Sequence, residues 1–130
     1  MISHVVLMKP RPDLSMADRE AFVDAFERAI REIPSVRVVR VGWRMTHGAG
    51  YETSAPDAAD YIAIVDFDDL DGLQMYLRHP AHAELGMRFG HSISSAMVYD
   101  FEVGGIDTLR ASGFLHPSPH PGPEPRPGPR

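Results

Sequence analysis

The order in which the hydrophobic period changes along the first hundred residues is the strongest constraint on how this chain folds. Ile2 to Met8 is a short apolar run rich in β-branched side chains, the composition of a strand. Ser15 and Asp18 then stand as in a capping box, and Phe22, Phe26, Ala29, Ile30 and Ile33 recur at helical spacing before Pro34. That pattern predicts an amphipathic helix over 16–33. In "VRVVRVGWRM" the period returns to two, with Val39, Val41, Trp43 and Met45 on one face and Val38, Arg40 and Arg44 on the other. A loop rich in Gly, Ala and Asp, 46–60, leads to a third strand, Tyr61 to Phe67. Asp68 or Asp69 can cap a helix through Leu70, Leu73 and Leu77; Pro80 interrupts it, and a second segment resumes with Ala81, Leu85, Phe89 and Ile93. Lastly "SAMVYDFEV" alternates Met97, Tyr99, Phe101 and Val103 as a fourth strand.

The resulting order, β-α-β-β-α-β, is that of a ferredoxin-like α+β sandwich. Right-handed crossovers place both helices on the same side of the sheet. Val5, Leu7, Val38, Met97 and Tyr99 nevertheless give several strands apolar character on both faces. Two helices cannot cover both, and a bare apolar sheet face is a patch that monomers rarely expose. A second copy laid sheet against sheet would cover it, so the expectation is a homodimer closing into a dimeric α+β barrel.

The folded domain is expected to span 1–103. From Gly104 the composition shifts, and between Pro117 and Pro129 every second residue is proline. Proline fixes φ and lacks a donor, so 104–130 reads as a Pro-rich, disordered C-terminal tail. At 130 residues there is room for one core only,. The formal charge of -5, with its basic residues dispersed, lacks the footprint of nucleic-acid binding. The chain has no cysteine, which removes thiolate chemistry and fits a reducing compartment. The opening "MISHVVLM" has no basic lead and is too short for a signal peptide or a membrane span,. A cytoplasmic protein with no membrane partner is the expectation.

The segments "ISHVVLMK", "IPSV" followed by "VG", "FDDLDGLQMYLRHPAH" and "VYDFE" occur in order across 1–103. In this they resemble the stress-responsive A/B barrel (Dabb) family of dimeric α+β barrels. The most specific part is "YLRHPAH" together with a histidine on strand one. The resemblance implies a homodimeric barrel, and similarity to its plant polyketide cyclase branch implies ring closure by intramolecular aldol condensation with no metal or organic cofactor. In that branch the reacting pair is the tyrosine and last histidine of the motif, which match Tyr76 and His82. The pocket histidine matches His4, on the same strand face as Val6 and Met8. Phe22 keeps an aromatic wall position and Val98 an aliphatic one. Phe26 stands where the branch has a tyrosine and Ile93 where it has a bulky aromatic. Leu85 completes the expected apolar wall.

Such chemistry needs a base near neutrality and a donor for the enolate oxygen. An imidazole, with an unperturbed pKa of about 6.5, suits the first task, and a tyrosine hydroxyl beside it, within hydrogen-bonding reach of a ring nitrogen, can orient the imidazole or hold the developing oxyanion. The expected ligand is a small apolar or aromatic molecule. The bland alternative is a non-catalytic, stress-related binding or structural dimer in which His82 packs the helix break and turns to the backbone. His79 and His82, three apart, could face one metal with His4 or His91, but Pro80 breaks the helix between them. No metal is therefore assigned. Asp66, Asp68, Asp69 and Asp71 read as helix N-terminus charge. "HGAGYE", His47 to Glu52, lacks the lysine and hydroxyl of a phosphate loop,. Trp43 is expected in the core or a dimer interface. A monooxygenase on a related barrel has no motif of its own here.

Overall fold

A computed structural model describes residues 1–116. Strand β1 (Ile2–Pro10) is followed by α1 (Met16–Glu32), β2 (Val38–Trp43), β3 (Tyr61–Phe67), α2 (Leu70–Arg78), α3 (Pro80–Ser92), β4 (Ile93–Glu102) and a short α4 (Asp107–Ala111). The four strands form one antiparallel sheet in the order β2-β3-β1-β4. This is the ferredoxin-like α+β arrangement that the change of period predicts.

Local chemistry sets the boundaries. Ser15 caps α1 by accepting the Asp18 N–H at 3.1 Å, and Pro34 stops the helix after Ile33. Asp69 caps α2 through the Gly72 N–H at 2.9 Å. The loop expected over 46–60 carries one 3₁₀ turn, Gly50–Thr53. Its entry is held by Glu52, whose carboxylate accepts from the His47 and Ala49 N–H groups.

Because side chains alternate across a strand, the register sorts them into two faces. His4 pairs with Val65, Val6 with Ala63 and Ile2 with Phe67. This face receives the helices, and the core lies here: Ala29 and Ile33 of α1, Val65 and Phe67 of β3, Leu73 and Tyr76 of α2, and Leu85 of α3. Each fully buried large side chain contributes about 1.5–3 kcal/mol relative to exposure. The opposite face carries Val5, Leu7, Ile62, Ile64, Met97, Tyr99 and Phe101 in register, with Val38 at its edge. No described element covers it: Tyr99 and Phe101 are half exposed.

Two expectations need correction. Trp43 is 72% exposed in the single chain, which rules out the core and leaves the dimer interface as its expected place. Val41 and Trp43 do lie on the helix side, opposite Ala63 and Tyr61, but the helical layer does not reach the outer end of this edge strand. Second, residues 104–116 are not wholly irregular. Asp107 starts α4 and pairs with Arg110 one turn on, a contact that supports the turn by a few tenths of a kcal/mol at most. The proline-rich stretch 117–130 lies outside the described residues. No helix among those described is long and apolar enough to cross a membrane.

Candidate active site

The break at Pro80 brings the candidate residues together. His79 sits in extended backbone between α2 and α3. Its ring Nδ1 accepts the Ala81 N–H at 3.0 Å, so it caps α3, while Pro80 occupies the first helical position, where a missing N–H costs nothing,. The chain thus turns between two helices without leaving orphan donors. Tyr76, in the last turn of α2, points into the core at 2% exposure. His82, in the first turn of α3, meets it edge-on with ring centroids 4.7 Å apart. From the sheet, His4 approaches the same tyrosine at 5.9 Å, and Phe67 backs it at 5.2 Å.

His4 is itself fixed from β4. Its Nδ1 lies 2.6 Å from the Asp100 carboxylate, directly across the β1–β4 ladder. A carboxylate accepts, so Nδ1 carries the proton of this bond. Burial pushes the Tyr76 phenol up to about 12, with no hydrogen bond opposing it; near neutrality the hydroxyl is a donor and not a base. His82 is moved below its ordinary value, first by burial and then by the electrostatic effect of His4, against a smaller opposing effect of the Leu77 backbone.

These three side chains are the polar part of a cavity of about 230 Å³ between the sheet and α1, α2 and α3. Of the wall positions expected from sequence, Val6 and Met8 of β1, Phe22 and Phe26 of α1, Leu85 of α3 and Val98 of β4 all line it. Ile93 does not. It is the C-cap of α3 and the first residue of β4, opposite Pro10 at the end of the ladder, too far along the strand to reach the cavity wall. Ala63 and Val65 of β3, and Leu77, Gly86 and Phe89 of the helices, complete the lining. The β3 pair was available from period two once the register to His4 and Val6 was known. Asp100 carries a weaker signal, an acid alternating with Val98 and Glu102 on one face of β4.

Among the described residues, His79, His91 and His47 do not converge on this point. His79 is engaged as a cap, and His91 pairs with Asp18 across the α1–α3 surface at 3.3 Å. His47 bonds the Tyr51 hydroxyl in the 46–60 loop.

The fold and site define a ferredoxin-like α+β domain with an apolar cavity closed at one end by a tyrosine and two histidines. Residues 2–103 match the stress responsive A/B barrel domain, and the chain belongs to that family. It is 21% identical over 100 residues to olivetolic acid cyclase of Cannabis sativa, covering 77% of this chain and 94% of that one. Among solved structures it resembles a hydroxynitrile lyase from Passiflora edulis, with TM-score 0.67, 12% identity and coverage of 79% and 93%. It also resembles a dimeric ferredoxin-like protein of unknown function from Thermobifida fusca, with TM-score 0.61, 20% identity and coverage of 78% and 90%.

Proposed function

We propose that this chain works as a homodimer that binds a small apolar or aromatic molecule in the helix-side cavity and moves a proton on it without a cofactor, in cyclase- or lyase-type chemistry. The observation that carries this is the grouping of His82, Tyr76 and His4 at one end of an otherwise apolar cavity that side chains leave open. A purely structural cluster would be expected to fill that space. His82, whose pKa burial holds below its ordinary value, is the base that takes a proton from an activated C–H or O–H. The Tyr76 hydroxyl, kept protonated by burial, donates to the carbonyl or enolate oxygen that gains charge. His4, anchored by Asp100, is a polar contact for the same end of the ligand. The resemblance to a cyclase and a lyase with the same fold is consistent with this chemistry and does not choose the substrate, since one fold hosts many reactions. The uncovered apolar sheet face and the dimeric relative support a second copy as its cover,. The lack of cysteine suits a cytoplasmic, reducing setting,.

The test is to follow the histidine ring signals by proton NMR in wild type and Tyr76→Phe while neutral aromatic carbonyl compounds are added. A working site requires that ligand moves the His82 signals and that loss of the Tyr76 hydroxyl weakens the response. If His82 responds to neither change, the helix break is architecture and the catalytic reading is wrong.

A further inference from the structure

We infer that the cavity admits a neutral, single-ring aryl carbonyl compound through a portal between α3 and β4, and that Gly86 sets the width of that portal; this rests on the small-molecule reading above. Three features of the same cavity carry the inference. The first is size. An engineered apolar cavity of about 150 Å³ holds one benzene ring, so about 230 Å³ corresponds to about nine non-hydrogen atoms by the same packing. Drug-sized ligands occupy about 300 Å³ or more. Because the cavity opens on one side, a chain long enough to fold back into a ring while keeping an activating arm would extend beyond its walls, whereas a ring bearing one carbonyl fits within them. The shape agrees: Phe22 stands edge-on to Phe26 at 6.4 Å and tilted to Phe89 at 6.3 Å, an arrangement that favours a planar ring.

Charge is the second feature. The wall holds no lysine or arginine; its polar members are His4, Tyr76 and His82. Asp100, half exposed and bonded to His4, adds negative charge beside the cavity. A carboxylate or phosphate ligand would find no lysine or arginine there, and the one imidazole beside a carboxylate, His4, is already paired with Asp100,. A carbonyl oxygen finds the Tyr76 donor.

The third feature is access. Leu77 and Val98 are both lining and exposed, at 41% and 49%, and Gly86 is also lining and exposed. The opening therefore lies where α3 passes the edge strand β4. A Cβ built on Gly86 meets nothing within 4 Å, so the helix tolerates a side chain there, and glycine in a helix interior is otherwise unfavourable by about 1 kcal/mol relative to alanine. Its effect is to keep the portal wide.

The probes are acetophenone, its larger analogue 2-acetonaphthone and the anionic isostere benzoate, titrated into the full chain and into Gly86→Ala and Gly86→Leu while His82 ring signals and melting temperature are recorded. Acetophenone is expected to bind wild type at least about tenfold more tightly than either other probe. Gly86→Ala should stay within about threefold of wild type and melt no lower, and Gly86→Leu should weaken acetophenone by about tenfold or more. Equal binding of 2-acetonaphthone or benzoate, or wild-type affinity in Gly86→Leu, would overturn the inference and leave the site intact. If no probe moves the His82 signals in any variant, the small-molecule reading fails and takes the inference with it.

Discussion

Replacing Tyr76 by phenylalanine removes one oxygen and nothing else, and the structure assigns different consequences to the oxygen and to the ring. The ring is buried against Phe67, His4 and His82. Truncating a core aromatic costs about 3–5 kcal/mol through lost transfer energy and the residual cavity. Tyr76→Ala should therefore lower the melting temperature by more than ~10 °C. The hydroxyl, by contrast, has no hydrogen bond opposing the burial that raises its pKa, so Tyr76→Phe forfeits none. Its stability should lie within about 0.5 kcal/mol of wild type, because the hydroxyl faces the cavity and has no protein hydrogen bond to lose,. Urea unfolding of the three proteins at pH 7 measures both effects. A loss greater than about 1 kcal/mol in Tyr76→Phe would mean that the hydroxyl is committed to a structural partner. It could not then serve as a free donor to ligand, and the division between scaffold and chemistry would collapse.

Three further outcomes follow from other parts of the molecule. Because the His82 pKa is lowered on folding by burial and by His4, the unfolded state binds the proton more readily. Stability should be full above about pH 6.5 and fall as the pH drops from there through the folded value. His82→Gln should flatten that part of the pH profile of unfolding, and an unchanged slope would refute the assignment. Ser15→Ala removes the α1 cap seen at Asp18 and should cost about 1 kcal/mol in urea unfolding. Leu7→Asp places a charge on the uncovered sheet face; light scattering should then give a monomer mass where wild type gives a dimer, and an unaltered dimer would place the interface elsewhere.

The elements were legible because each rests on local chemistry. Period two in Tyr61 to Phe67, the serine at the head of α1 and the proline between α2 and α3 act within a few residues of themselves. The Tyr76 and His82 pairing was legible for the same reason, since six residues and one helix break place them. What escaped the sequence depends on partners far along the chain. Asp100 reaches His4 only through the β1–β4 ladder, 96 positions away. Trp43 alternates like a core residue, yet its burial depends on how far the helical layer extends over β2, which no local pattern encodes. Ile93 has the spacing of a wall residue if α3 continues through it. Because the helix ends there and a strand begins, its place in the ladder takes precedence. Gly86 carries no apolar signal at all, and its position becomes meaningful only beside an open cavity.

The most direct test of the account is a crystal structure of the full chain grown with acetophenone. The ring is expected among Phe22, Phe26 and Phe89, with the carbonyl oxygen about 2.6–3.0 Å from the Tyr76 hydroxyl and the His82 ring facing the ligand. A cavity closed by its own side chains, or acetophenone bound elsewhere while His82 and Tyr76 remain covered, would contradict it.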